Sequence, residues 1–259
     1  MIINNLMGGI GNQLFQISAG FAHAKSIQTD YAINYKIGLG NGQGHHHRRY
    51  KDTLYKNIPE TNHNVFIPYQ DPKFSYTPIS KLNNLCLIGY FQSKKYFLGY
   101  EEEVKSLFEF PNFLSNKVLN KLNKIKKKKV GIHLRLGDYR AKSIEGVFHK
   151  IDYSLYLNDA IKHFGDDYEF LIFSDDLSLL KQEVNLKNFV NLKNDNEIED
   201  LYSLSQCDSV IMSNSSFSWW GAFLGKTKEK VICPDKWFGP RGPKNSQDLY
   251  EDSWINISV

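Results

Sequence analysis

The sequence predicts an α/β fold in two halves, on three observations. From Val130 onward short apolar runs alternate with helical patterns, the βαβ rhythm of a parallel sheet. The chain opens on an apolar stretch, then three glycines, then a helical pattern, which together describe a strand–loop–helix turn. Its 259 residues, 41% of them hydrophobic, suffice for one large domain or two small ones. The polar, basic run at 123–129 is the natural junction, giving halves of 1–126 and 127–259.

Taken in order, the first helix is marked by Leu14, Ile17, Phe21 and Ala24. A polar region follows, with Gly38, Gly40, Gly42, Gly44 and the cluster His45-His46-His47, and then a strand at 85–91. In the second half, strands are expected at 130–134, 169–174, 209–213 and 230–233. Asp152 can cap a helix whose Tyr153, Tyr156, Leu157, Ala160, Ile161 and Phe164 trace one face. Residues 197–207, with Ile198, Leu201, Tyr202 and Leu204, trace another. Two nucleotide-fold halves facing a cleft fit this arrangement.

Composition excludes several classes. Lys+Arg 32 against Asp+Glu 28 leaves a net charge of +4, part of it in the lysine run, which argues against a nucleic-acid partner. No stretch approaches the length of a membrane span, so no stable membrane anchor is expected. Cys86, Cys207 and Cys233 cannot all pair and form no C-x-x-C motif, which fits a reducing compartment. With no signal-peptide pattern at Met1, a soluble cytoplasmic protein is expected. Aromatics reach 14%, which suits sugar or base stacking as well as core packing.

Three motifs could carry chemistry. The first is Gly8-Gly9-Ile10-Gly11-Asn12-Gln13-Leu14-Phe15-Gln16. Gly9 and Gly11 would let a ligand approach the backbone, and the first N–H groups of the helix could meet negative charge; a tight structural turn is the other reading. The spacing departs from a dinucleotide fingerprint, and Asn12 and Gln13 just inside the helix have no evident structural use.

The second is Gly131-Ile132-His133-Leu134-Arg135-Leu136-Gly137-Asp138-Tyr139. His133 and Arg135 share one face at the C-terminal end of a strand, where open α/β sheets hold ligands. Arg suits a diphosphate, because its planar fork donates several hydrogen bonds and keeps its charge. A buried His–Asp or Arg–Asp pair locking the turn is the alternative. The third, Ser213-Asn214-Ser215-Ser216-Phe217-Ser218-Trp219-Trp220-Gly221, runs from a strand into a helix. One hydroxyl can cap that helix, and the remaining serines are surplus donors for phosphate oxygens. Of the adjacent tryptophans, one is expected in the core. Asn214-Ser215-Ser216 matches a glycosylation sequon that a cytoplasmic chain would not have modified.

Ser174-Asp175-Asp176 ends another strand and reads as a turn or helix cap rather than a cation site. The histidine triple with Arg48 and Arg49 is either solvated or faces an anionic or sugar ligand. Consecutive residues splay apart and make poor zinc ligands, so no metal is assigned.

Together, in this order, the three motifs resemble the bacterial-type α-1,2-fucosyltransferases of glycosyltransferase family 11. Phe173-Ser174-Asp175-Asp176 and Pro234-Asp235-Lys236-Trp237-Phe238 fit that family's later blocks, and the resemblance runs from Gly8 to about Trp254. It implies a GT-B-type fold with two Rossmann-like halves, the first on the acceptor side and the second binding a GDP-sugar. It also implies inverting, metal-independent transfer of L-fucose from GDP-β-L-fucose, the donor substrate, to a hydroxyl of a glycan acceptor, usually O2 of a galactose, with no cofactor. By similarity Arg135 would contact the β-phosphate and His133 would lie near the guanine or its diphosphate. Ser174 and Asp175 belong to the donor-binding blocks, and Asp200 would read guanine N1 and N2. Asn214, Ser215, Ser216 and Phe217 would line the diphosphate, and Asn12 would sit close to the transferred sugar. Many members carry a second Arg where this chain has Leu136, so no second basic contact is expected there.

The chemistry is coherent in its own right. Breaking a glycosyl–phosphate bond leaves negative charge on the departing diphosphate and oxocarbenium character on the sugar. A fixed Arg and helix N–H donors stabilise the former. Asp138 is a candidate for a base-like carboxylate, or for one that orients Arg135. The same fold with another GDP-sugar, and a non-catalytic GDP- or glycan-binding module, are the alternative readings.

Overall fold

The computed structural model describes residues 1–38, 45–185 and 188–259; Gly40, Gly42 and Gly44 lie outside the described residues. The chain forms an α/β structure of two compact units, a GT-B-like two-domain architecture. One unit comprises Met1–Pro111 with Asn245–Tyr250, the other Asn112–Lys244 with Glu251–Val259. The division therefore precedes the expected junction at 126/127. The reason is packing: the helix before the lysine run, Asn112–Leu122, buries Leu114, Val118 and Leu122 in the second unit.

The first unit begins with β1 (Ile2–Asn4), fully buried. A short turn leads to α1 (Ile10–Ser26), as the opening pattern predicted. Gly8 has φ 75°, a conformation that L side chains rarely adopt, so glycine is required to aim the chain into the helix. β2 (Ile67–Gln70) and β3 (Leu85–Ile88) complete a parallel sheet in the order β1-β3-β2. Ile2 pairs with Leu85 on one side and bridges Tyr31 on the other. The chain thus leaves β1 toward one neighbour and later returns to its opposite side as β3. The gap beyond the C-terminal ends of β1 and β3 is a topological switch point, where such sheets hold ligands. α2 (Glu101–Leu107) closes the unit's helical part.

In the second unit α3 (Asn112–Leu122) precedes β4 (Lys128–Leu134), α4 (Tyr153–Ile161), β5 (Tyr168–Ser174) and α5 (Leu177–Glu183). Then come α6 (Glu197–Gln206), β6 (Ser209–Ile211), α7 (Ser216–Phe223), β7 (Lys230–Pro234) and β8 (Ile255–Ile257). All five strands are parallel, in the order β5-β4-β6-β7-β8. The switch point lies between β4 and β6, so Arg135 and Ser213 both emerge beside it. Asp152 caps α4 by accepting from the N–H groups of Ser154 and Leu155, as its sequence position predicts.

α6 packs between β4 and α7 through Leu204. A Cβ on Gly131 would lie 2.9 Å from Leu204 Cδ2, and one on Gly221 2.8 Å from Leu204 Cβ, so both positions must lack one. Both tryptophans of α7 are buried, Trp219 at 1% and Trp220 at 0% exposure, which corrects the expectation of a single core tryptophan. The helix is enclosed on more than one side, so adjacent residues need not share a face. Trp219 stacks on Phe223 and meets Trp254, while Trp220 meets Phe223 edge-on. Among the described residues no helix is long and apolar enough to cross a membrane.

Candidate functional site

Arg135 is the first residue beyond β4. Its Nη2 lies 2.8 Å from Asp138 Oδ1 and its Nη1 3.2 Å from Asp175 Oδ2, with all three side chains about a quarter exposed. The guanidinium also sits over the Tyr139 ring, 5.6 Å from its centroid. Its backbone carbonyl accepts from Tyr153 Oη at 2.9 Å, so the residue is held at both ends. Burial opposes the charge, but the carboxylates of Asp175 and Asp138 outweigh it and raise the pKa.

Asp175 holds this turn together. Its Oδ1 accepts from the Leu136 N–H at 2.9 Å while Oδ2 faces Arg135. A Cβ on Gly137 would lie 2.7 Å from that Oδ2, so glycine at 137 is what lets the carboxylate reach in. Leu136 is fully buried in the core. Asp176 turns away and caps α5, accepting from the N–H groups of Ser178 and Leu179, and Ser174 Oγ accepts from the Asp176 N–H. The adjacent carboxylates therefore diverge. Among the described residues no three His, Cys, Asp or Glu side chains gather as metal ligands.

His133, only 4% exposed, looks inward from β4. Its Nδ1 lies 2.6 Å from Ser218 Oγ and 3.3 Å from Ser213 Oγ, and its ring lies against Phe217 with centroids 4.7 Å apart. Burial, then the charge of Arg135, pushes its pKa down to about 3. It is therefore a neutral imidazole within a hydroxyl network. Two of the motif's four serines, Ser213 and Ser218, are engaged in that network rather than left as surplus donors. A third, Ser215, caps α7 by accepting from the Phe217 N–H at 3.3 Å. Ser216 and Phe217, half-buried, form the first turn of α7.

Asn214 has a structural task. Its Nδ2 donates to the carbonyls of His149 and Trp237, at 2.9 and 2.8 Å, which ties the loop before α7 to two others. Its own carbonyl accepts from Tyr139 Oη at 3.1 Å. Tyr139 thus bridges the switch point, its ring under Arg135 and its hydroxyl on the serine loop. Asp200 stands on α6, where Asn194 Nδ2 donates to its Oδ1 at 3.0 Å. Burial pushes its pKa up to about 6 against that hydrogen bond, and the charges of Glu199 and Glu197 add to the rise.

In the first unit Gly9 is the N-cap of α1 with no side-chain cap bond, and Gly11 is buried in the first turn. Asn12 folds back so that its Nδ2 would lie 2.5 Å from a Cβ on Gly8. Its Oδ1 accepts from Gln92 Nε2 at 2.6 Å. Gln92 follows β3 and Asn12 follows β1, so this bond spans the first unit's switch point. Gln13 is buried: Nε2 donates to the carbonyls of Gly8 and His45, at 2.8 and 2.9 Å, and Oε1 accepts from Tyr55 Oη. Gln16 pairs with both backbone groups of Met7. Both glutamines are therefore loop staples.

The structure thus joins Arg135, Asp138 and Asp175 in one cluster, and His133, Ser213, Ser218 and Phe217 in another, with Tyr139 between the two loops. Sequence reasoning missed Gln92 and Tyr139. The signal for Gln92 is a polar residue closing the apolar run at 85–91, at the end of a parallel strand where side chains converge.

Comparison with known proteins agrees with this architecture. The curated O-antigen biosynthesis glycosyltransferase WbnK of Escherichia coli is 26% identical over 303 residues, covering 97% of this chain and 99% of the relative. An α-1,2-colitosyltransferase of Escherichia coli is 27% identical over 304 residues, covering 99% of each. Among solved structures, the fucosyltransferase NodZ from Bradyrhizobium superposes with a TM-score of 0.58 at 11% identity, over 94% of this chain and 96% of that one. POFUT1 in complex with GDP gives 0.51 at 12% identity, over 90% and 97%. At such identities these structures speak for the fold. The family model described as Glycosyl transferase family 11 matches residues 69–258, well over half the chain, and the protein belongs to that family.

Proposed function

We propose that this glycosyltransferase moves L-fucose from GDP-β-L-fucose to O2 of a galactoside, inverting the anomeric centre to give an α-1,2 linkage in glycan biosynthesis. The observation that carries the reading is the fixed guanidinium of Arg135 at the β4/β6 switch point of a family 11 chain. Its planar fork has more N–H donors than two carboxylates use, and those remaining serve the leaving diphosphate. Negative charge builds on that diphosphate as the glycosyl bond breaks, so a preorganised donor acts where the transition state needs it. Asp138 and Asp175 orient the fork. Ser215, Ser216 and Phe217 extend the diphosphate site along the first turn of α7, Asp200 reads the guanine edge, and Asn12, with Gln92 setting its amide, faces the sugar. Neutral His133 braces the loop from below. The free thiols of Cys86, Cys207 and Cys233 fit the cytoplasm as the place of action.

The test is direct. Purified protein with GDP-fucose and a panel of galactosides should release GDP and yield a product whose linkage and anomeric configuration are read by NMR. A β-linked product, or GDP binding by calorimetry with no transfer to any acceptor, rejects the reading; the latter result identifies a binding module. A second donor is favoured by the relative that transfers colitose. Competition between fucosyl and colitosyl donors decides between them by the ratio of kcat/KM values.

A further inference from the structure

The histidine–arginine segment of the first unit has no part in the reaction described above, yet it builds a defined surface. An open groove of about 700 Å³ is lined by Tyr35, Lys36, His45, His46, Arg48 and Arg49. That size lies within the range of small-ligand sites. Lys36, Arg48 and Arg49 are exposed cations on one wall or another of it. The acids nearby are Glu60, which pairs with Lys51 at 2.5 Å, and Asp52. Among the described residues, the lining carries three cations and no carboxylate.

The floor is ordered rather than merely solvated. Tyr35 and His47 are buried and stacked, their centroids 5.5 Å apart, and His46 stacks on His47 at 4.1 Å. Arg48 Nη2 donates to the Tyr35 carbonyl at 3.0 Å, and Arg48 N–H donates to His46 Nδ1 at 3.2 Å. Tyr35 Oη and His47 Nε2 are buried polar atoms with no hydrogen-bond partner among the described residues. Such atoms normally find partners, and Tyr35 is itself one of the residues lining the groove. The groove is also tied to the Asn12 loop: Gln13 Nε2 holds the Gly8 carbonyl and the His45 carbonyl at once. A ligand held by the groove is thereby placed by the same staple that sets the loop proposed to face the transferred sugar.

We infer that this groove receives the acidic part of the acceptor, so that the preferred acceptor is a saccharide bearing a phosphate or a carboxylate near the galactosyl residue. The inference rests on the proposed transfer to a galactoside and adds the acceptor's charge. Phosphate and carboxylate share the chemistry that Lys36, Arg48 and Arg49 recognise, a compact anionic oxygen group.

The test uses three matched galactosides: neutral, carrying a 1-phosphate on the reducing sugar, and carrying a hexuronate there. Binding is measured by calorimetry in saturating GDP, which occupies the donor's own diphosphate site, and transfer is measured in parallel. One or both acidic acceptors should bind about tenfold more tightly than the neutral one in low salt, with the preference shrinking as ionic strength rises. Which acid gains names the source. Lys36→Gln/Arg48→Gln/Arg49→Gln should bring the ratio to about one. Lys36→Glu, a change at an exposed side chain that the fold tolerates, should lower the ratio severalfold with an unaltered melting temperature. Equal affinity for all three acceptors, or a preference that survives both variants, overturns the inference. Acidic preference in binding with no transfer supports the groove as an anion site but rejects the galactoside reading and with it the acceptor role, while transfer without acidic preference overturns the inference and leaves the galactoside reading intact.

Discussion

Arg135 and Asp200 carry charge in partly buried surroundings, and their neighbours answer differently. Arg135 has two carboxylates within ion-pair distance, so its charge is kept and its direction fixed. Lysine would keep the charge but lose the planar fork, so Arg135→Lys should lower kcat/KM by about 10²–10³-fold. Circular dichroism and melting should stay near those of the parent, and near-normal turnover would remove the diphosphate assignment. Among the described residues no cation lies within ion-pair distance of Asp200, and burial moves its pKa up to about 6 against the hydrogen bond from Asn194 and the charge of Lys121. A carboxylate accepts from both guanine N1–H and N2–H, whereas the protonated acid turns one of those oxygens into a donor and cannot accept from both. GDP affinity should therefore rise roughly tenfold per pH unit up to about 6 and level off above it. In Asp200→Asn that slope should vanish and the plateau should be lower; an unchanged pH profile would exclude Asp200 from the guanine site. Both residues were legible in the sequence as residue types at a strand end and on a helix. Their opposite electrostatics were not, because Asp175 meets Arg135 from another strand and Asn194 meets Asp200 from a preceding loop.

The elements that position these residues were read best where burial imposes a period. β4 and β5 follow their continuous apolar runs, since consecutive residues are buried on both sheet faces, and α4 follows its helical period by burying Tyr153, Tyr156, Leu157 and Ala160. β2 was missed because Ile67–Gln70 is a mostly exposed edge strand containing Pro68, and β8 because three residues are too few to show alternation. α7 was placed correctly, but its surroundings were not foreseen: the hydroxyls of Ser213 and Ser218 surround an imidazole from β4. That burial has a thermodynamic consequence. The pKa of His133 is near 3 in the folded chain and about 6.5 when unfolded, a depression, so its contribution to stability is complete above about 6.5 and is lost as pH falls toward 3. Between those limits the loss is up to about 1.4 kcal/mol per pH unit. Denaturant unfolding from pH 7 to 4 should show that slope, and His133→Asn should be flatter over the same range while less stable at neutral pH. Equal slopes for the two proteins would mean that His133 is not buried in its neutral form.

For the whole molecule, the lysine run marks a change in composition but not a boundary between packed bodies. α3 lies before it and packs with α6 in the second unit, where Lys117 pairs with Asp195 and Glu199. Composition at 123–129 reflects only solvent exposure, whereas the boundary follows from which core Leu114, Val118 and Leu122 enter, a tertiary fact. The return of 245–250 to the first unit is likewise invisible in the sequence, since it depends on Asp248 accepting from the Tyr76 N–H at 2.6 Å and pairing with Lys95 at 2.5 Å. Fragments separate the two views. Burying three aliphatic side chains contributes roughly 1.5–3 kcal/mol each, so α3 supplies about 5–9 kcal/mol before ordering costs. That is comparable to the whole stability of an ordinary domain. A fragment of residues 112–259 should therefore unfold cooperatively in denaturant, whereas 127–259, cut at the lysine run, should lose most or all of that transition. Cooperative unfolding of 127–259 at the same midpoint would show that α3 is dispensable and that the composition change is the true boundary.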